Sequence, residues 1–395
     1  MDEAGLEVTA RRALLLVVAL LRCSQVARID DDAGLVDAGP PTDAGSRPDA
    51  GPLPDGGGVT DAGPTDAGGD LVTGSITWVG CNRISRGDWD STANPSSANV
   101  PELTQTFADL AAMPRPADRF VFTGDLVLGL DTGKSPLDTE LAAWAQRFAA
   151  SAPLPVLAVP GNHEMLVKSG SSEITNDRAD AVWLQFVTAN GLAPSANGPT
   201  TAAPNDDLLT DDQSRFSFSV DVGELHLVLL NTDTPNTNGT SRIGWVPLHW
   251  LRRDLAAAQA NPAIAHVFVF GHKPLVAPPG ETGSDSTIDA TLVKPVLDAL
   301  DATPKVRGYF CAHAHLWNAL RLGGTRNLWQ VTAGNGGSDL QSAWAAGSPF
   351  FGFSELRVHA DGRVGVVSHE RPFPSPYFSA TVAPAVPRAE FVISP

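Results

Sequence analysis

Apolar residues come along this chain in short bursts of strand length, separated by longer segments in which they recur every three to four positions. Ile76 to Val79, Phe120 to Thr123, Leu154 to Val159, Leu225 to Leu230, Val267 to Phe270 and Val306 to Phe310 read as buried strands. Between them, Glu102 to Ala112, Thr139 to Ala150, Ala179 to Ala189, Leu248 to Ala260 and Leu292 to Leu300 carry the helical period. Strands that alternate with helices predict a layered α/β domain. Three later strands, Leu328 to Thr332, Phe353 to Val358 and Val364 to Ser368, follow one another without helices, the last two joined at Asp361-Gly362. That meander predicts that one sheet is largely antiparallel.

Before residue 75 the pattern is different. Residues 13 to 21 form an apolar run after Arg11-Arg12, too short to span a bilayer, and read as the hydrophobic region of an export signal. Cys23, just beyond it, stands where a lipoprotein carries its lipid anchor; Arg22 is not the small residue such a signal takes, so simple signal cleavage is the alternative. Both readings give an exported protein: periplasmic, outer-surface or secreted. Residues 30 to 70 repeat Asp-Ala-Gly and Pro-Asp-Ala-Gly units with almost no large apolar side chain. Such a stretch forms no core and reads as an extended, self-repelling tether, since its irregular spacing lacks the positions of a calcium loop. The chain therefore divides into a signal over 1–28, a disordered linker over 29–72, a folded domain over 73–372 and a tail or edge strand over 373–395.

The formal charge of −17 is concentrated in the linker, where residues 30 to 70 hold ten Asp against one Arg, a net of −9, leaving −8 for the remainder. An acidic surface argues against binding to nucleic acid duplexes, while a small phosphorylated substrate stays compatible if cations neutralise it locally.

The candidate chemistry lies at the strand ends. Gly124-Asp125 follows the second strand and Gly161-Asn162-His163-Glu164 the third. Gly271-His272 follows Val267 to Phe270, and His313-Ala314-His315 follows Val306 to Phe310. Each alone reads as an ordinary turn or surface histidine. Together they place a carboxylate, an amide and several imidazoles where α/β sheets carry their sites, which is the donor set of a two-metal centre. Two cations would clamp a phosphoryl group and activate water, and His163 would protonate the leaving group.

Gly124-Asp125, Gly161-Asn162-His163-Glu164, Gly271-His272 and Ala312-His313-Ala314-His315 resemble the successive motifs of the calcineurin-like metallophosphoesterases, over roughly residues 75 to 370. Phe216 to Asp221, Trp250 to Leu255 and Ala333-Gly-Asn-Gly-Gly337 are similar to the purple acid phosphatase branch. The resemblance implies a four-layer α/β/β/α sandwich and two divalent or trivalent ions, Zn, Mn or Fe. It implies that Asp125 bridges them, that Asn162, His272 and His313 hold one, and that His315 holds the other. The activity it implies is phosphate ester hydrolysis, phosphomonoesters first and diesters or nucleotides behind. A degenerate phosphate-binding or surface-interaction module on the same scaffold is the alternative.

The first motif departs from the family, which opens with Asp, often Asp-x-His; here Gly80-Cys81-Asn82-Arg83 stands in its place. Cys81 as a thiolate or Asn82 as a carbonyl are the remaining candidates to support His315, so the second metal position is expected to be weak, unusual in metal or empty. Arg83 either binds phosphate oxygens and replaces part of a lost cation's charge, or pairs with Asp88 or Asp90 on the surface. Leu128 stands where the purple phosphatases have their colour-giving Tyr, so no tyrosinate band is expected. Cys81 and Cys311 are expected as free thiols, with a disulfide as the alternative.

Overall fold

The computed structural model describes residues 71–130, 136–149, 151–169, 172–175, 178–236, 243–283, 285–341, 344 and 349–394. The export-type segment 13–21, Cys23 and the Asp-rich stretch 30–70 lie outside the described residues. In chain order the first strands are β1 (Val72–Val79), β2 (Arg119–Thr123), β3 (Val156–Val159), β4 (Leu166–Ser169), β5 (Ser172–Thr175), β6 (Phe218–Val222), β7 (Leu225–Leu230) and β8 (His266–Gly271). They are followed by β9 (Val306–Cys311), β10 (Trp317–Arg321), β11 (Trp329–Ala333), β12 (Phe350–His359), β13 (Val364–Pro372), β14 (Val386–Pro387) and β15 (Phe391–Ser394). The helices are α1 (Val100–Ala112), α2 (Leu137–Trp144), α3 (Asn162–Met165), α4 (Ala179–Asn190), α5 (Leu248–Ala260) and α6 (Ala290–Asp301).

Two sheets carry the domain. One runs β14-β13-β12-β1-β2-β3, with β15 also on β13; the other runs β10-β11-β9-β8-β7-β6; β4 and β5 pair only with each other. The first sheet is largely antiparallel, as expected, with a parallel trio at one edge, and the second is mixed. The meander β12 and β13 adds antiparallel pairs to the parallel trio β1, β2 and β3. β11 instead crosses to the other sheet and lies parallel to β9. Periodicity fixes which face of a strand is buried, and says nothing about which neighbour it takes.

Alternation along β8 shows how the layers form. Phe268 and Phe270 point into the core between the sheets, while Val267 and Val269 join Leu251, Leu255, Val296 and Leu300 of α5 and α6 on the outer face. Trp78 of β1 meets Phe310 of β9 edge-on at 5.1 Å between ring centroids and Phe270 at 6.3 Å, locking sheet to sheet. On the other side of the first sheet, Phe107 of α1 packs on Phe120, and Trp144 of α2 packs on Phe122 and on Phe186 of α4. The result is the four-layer α/β/β/α sandwich. Trp183 and Phe186, from the long segment after β3, are spent on this packing.

The segment after residue 372 returns to the first sheet as β14 and β15. Glu390 accepts a hydrogen bond from His359 at 2.7 Å, and the buried Arg371 donates to Glu102 and Asp109 of α1.

β1, β2 and β3 of one sheet and β8 and β9 of the other finish at the same end of the sandwich, and there the sheets converge. Gly80 N donates to Ala333 O across them at 3.0 Å, Cys81 N donates to Gly124 O at 3.0 Å, and Ala312 N donates to His272 O at 3.0 Å. A β-carbon on Gly80 would stand 2.5 Å from that of Ala312, so only glycine permits this approach.

Candidate metal centre

The strand-end residues are held in sparsely populated backbone conformations. Gly124 has φ +89°, and Cys81, Asp125 and His313 have φ of 58°, 57° and 65°, the left-handed region that non-glycine residues avoid. What holds Asp125 there is Glu164. Its carboxylate accepts the backbone N–H groups of Gly161 (2.7 Å), Leu126 (2.8 Å), Asp125 (2.9 Å) and Val127 (3.2 Å), so one side chain of α3 clamps the turn after β2 to the turn after β3. Burial, then the adjacent Asp125 carboxylate, push Glu164 up to about 8 against these donors.

Four donor atoms converge above that clamp. Asn162 Oδ1 lies 3.0 Å from His272 Nε2 and 3.2 Å from His313 Nδ1, the two ring nitrogens are 3.2 Å apart, and Asp125 Oδ1 is 3.3 Å from His272 Nε2. Donors on a zinc-like ion would stand about 3.3–3.4 Å apart, close to the spacing of the Asn162, His272 and His313 atoms, with Asp125 Oδ1 beside His272. Protonation agrees. His272 Nδ1 donates to the Thr123 carbonyl at 2.7 Å, which leaves Nε2 a bare lone pair. Asp125 Oδ1 and Asn162 Oδ1 are acceptors as well. Burial, then His272 and Lys273, hold His313 well below its ordinary pKa. An array of buried acceptors with at most one proton among them fits a cation. Burial opposes ionisation of Asp125, yet His272, His163 and Arg83 together hold its carboxyl well below the usual carboxylate range.

A family model described as calcineurin-like phosphoesterase matches residues 76–316, most of the folded part and all of these donors. The chain belongs to the calcineurin-like phosphoesterases. It is thus a member of a family of metal-dependent phosphoester hydrolases, and its donor cluster suits a divalent ion. Similar solved structures include a purple acid phosphatase from yellow lupin (Lupinus luteus) seeds, with TM-score 0.51, 17% identity and coverage of 83% of this chain and 55% of that one. A dimetal phosphatase from Danio rerio is similar at TM-score 0.51 and 12% identity, covering 82% of this chain and 99% of that one. PhoD is similar at TM-score 0.50 and 12% identity, covering 83% and 70%. At these identities they show a shared fold, and the chain spans 55% of the lupin enzyme's length. Among curated protein sequences, none matches.

Three other predicted residues of this phosphoesterase, Arg83, His163 and Cys81, face the second oxygen of Asp125. Arg83 Nε stands 3.7 Å from Asp125 Oδ2, with the side chain only 16% exposed; it turns to the site, and Asp88 and Asp90 are not its partners. His163 Nε2 and Cys81 Sγ each lie 4.0 Å from the same oxygen. His163 Nδ1 donates to the Leu128 carbonyl at 2.5 Å, and burial, then Arg83, hold its pKa well below the ordinary value. His315 is half-buried and donates from Nδ1 to Asp339 O at 2.8 Å; burial, then Arg83, bring it down to about 4.

Cys81, Asp125 and His272 form a compact trio of ligand-type residues. Cys81 and Cys311 are both free thiols, each pushed up by burial, Cys311 to about 12. Asn82 is fully buried; its amide N–H groups donate to Gly336 O at 2.7 Å and Asn99 O at 3.3 Å, bracing the start of α1, and its Oδ1 has no hydrogen-bond partner. Leu128 packs its side chain with Ile84, Trp89 and Tyr377.

Sequence reasoning missed the carbonyls that orient the rings, Thr123, Leu128 and Asp339, because any residue supplies a carbonyl. It also missed Lys273, directly after His272. This fully buried ammonium pairs with Asp233 at 2.9 Å behind the cluster, and a lysine set between a strand-end histidine and Pro274 was the available signal.

Proposed function

We propose that this calcineurin-like phosphoesterase is an exported hydrolase of small phosphate esters, phosphomonoesters first, with diesters and nucleotides as further substrates. The observation that carries the reading is the triangle of Asn162 Oδ1, His272 Nε2 and His313 Nδ1 at spacings of 3.0 to 3.2 Å, with Asp125 Oδ1 3.3 Å from His272 Nε2 and Arg83 and His163 facing the same Asp125 carboxylate. A divalent ion held by these four atoms would polarise the phosphoryl group and make water a nucleophile at neutral pH.

The chain's own residues supply the rest. Arg83, fixed in charge, binds phosphoryl oxygens and opposes the negative charge that grows on them. Water attacks phosphorus, the bond from phosphorus to the ester oxygen breaks with its electron pair on that oxygen, and His163 Nε2 gives it a proton. The Leu128 carbonyl keeps His163 Nδ1 protonated, so the proton delivered is the one on Nε2. Burial and the Arg83 charge disfavour the imidazolium, so the protonated form that this step needs is favoured at acidic pH. Glu164 touches no substrate and fixes the two turns that carry Asp125 and Asn162.

The test is hydrolysis of aryl and alkyl phosphates by chelated protein reloaded with Zn, Mn or Fe. Turnover should return with metal. His163→Asn should lose about 10²-fold or more on alkyl esters, whose leaving group needs the proton, and less on nitrophenyl phosphate. No turnover with any of the three metals would overturn the reading and leave the phosphate-binding module in its place.

A further inference from the structure

The two oxygens of Asp125 face different surroundings. Oδ1 belongs to the donor cluster, 3.3 Å from His272 Nε2, and accepts the backbone N–H of His163 at 3.2 Å. Oδ2, the oxygen a second ion would need, faces Arg83 Nε at 3.7 Å, Cys81 Sγ at 4.0 Å and His163 Nε2 at 4.0 Å. The guanidinium pairs with this oxygen at ion-pair rather than hydrogen-bond distance. Its Nε is buried without a hydrogen-bond partner, and the backbone of Arg83 is pinned by a bridge to Ala98, so the charge is aimed at Asp125.

Ligands for a second ion are few on that side. Asn82 uses its N–H groups on Gly336 and Asn99 and His315 donates from Nδ1 to Asp339 O, so Asn82 Oδ1, which has no hydrogen-bond partner, and His315 Nε2 are the donors left. An ion bound to Oδ2 would sit within a few ångströms of a permanent positive charge in a poorly solvated pocket, where like charges repel strongly.

We propose that the centre binds a single metal ion, and that the Arg83 guanidinium stands in the place of the second cation beside Asp125 Oδ2. The inference rests on the metal-dependent reading above. It makes the site a hybrid in which one positive charge is exchangeable and the other is covalently part of the chain. A phosphate ester would then lie between the ion and the guanidinium, whose planar pair of donors suits two phosphoryl oxygens.

The test is metal stoichiometry of the full chain, stripped with chelator and titrated with Mn(II), read by elemental analysis and by electron paramagnetic resonance. The expected result is one equivalent per chain with the spectrum of an isolated Mn(II). The double variant Cys81→Asp/Arg83→His replaces the guanidinium and the thiol by ligands, and should take up a second equivalent with an exchange-coupled spectrum. Two coupled ions in the unaltered protein would overturn the proposal while leaving the hydrolase reading intact. No bound metal in the unaltered protein would remove both. A folded double variant that still binds one ion would show that Arg83 is not what stands in the second position. Should the double variant fail to fold, the spectrum of the unaltered protein decides alone.

Discussion

Glu164 accepts the backbone N–H of Asp125 at 2.9 Å and that of Gly161 at 2.7 Å through the same carboxylate oxygen, so the two turns that build the metal centre share one anchor. Replacing Glu164 by Gln puts an amide N–H against backbone donors. Either one acceptor site is lost or the side chain turns away, leaving buried N–H groups unpaired at a cost of roughly 1–3 kcal/mol each. We expect Glu164→Gln to lower the unfolding free energy by about 2–4 kcal/mol and to weaken metal affinity as Asp125 leaves its left-handed backbone conformation. Denaturant unfolding with and without metal measures both. A variant of unchanged stability and affinity would show that the clamp is dispensable.

Gly161 is tested by one methyl group. A β-carbon there would lie 2.2 Å from Asp125 Oδ1 and 2.9 Å from His272 Cε1, two residues of the donor cluster. Since displacing a reacting group by about 1 Å costs on the order of 10²-fold in rate, Gly161→Ala should lose at least that much activity. Its fold, seen by circular dichroism, should be kept. Activity within a few-fold of the unaltered protein would contradict the packing described here.

The sequence made the strand-end donors legible because each follows an apolar run and a sharp turn; Asn162, His272 and His313 meet at 3.0 to 3.2 Å, and Asp125 lies 3.3 Å from His272. Neighbour choice was not legible. β11 and β12 are consecutive in the chain yet lie in different sheets, a consequence of the connection between them. β10 went unseen because Trp317 to Leu320 are all half-buried, which blurs the alternation of a strand. The direction of Arg83 could not be read either, since a long flexible side chain on a turn reaches surface or site with equal ease until the bridge to Ala98 fixes its backbone.

His226 joins the hairpin of β6 and β7 to α5, with Nδ1 2.6 Å from Asp221 and Nε2 2.9 Å from Asp254. Burial lowers its pKa, but Asp254 and then Asp221 outweigh that and raise it. A histidine raised in the folded state contributes stability fully below its unfolded pKa of about 6.5, and loses it as pH rises through the folded value. Asp221 is more than half exposed, so solvent screens its share and Asp254 carries more of the effect. His226→Asn should therefore cost roughly 1.5–3 kcal/mol near pH 5.5 and clearly less near pH 9, by thermal unfolding. A cost that does not depend on pH would show that the imidazole is neutral throughout.

The donor cluster itself predicts an unusual response to losing one ligand. Without metal, Asn162 Oδ1 and His272 Nε2 face each other at 3.0 Å as two acceptors, an arrangement that destabilises the folded chain. With metal at about 100 times its dissociation constant, binding should stabilise the fold by about 2.7 kcal/mol. Asn162→Ala removes one donor of the cluster, so the rise in melting temperature on adding Zn or Mn should largely vanish. Melting curves of both proteins, chelated and reloaded, decide it. A metal-induced rise in Asn162→Ala equal to that of the parent would place the ion somewhere other than among these four atoms.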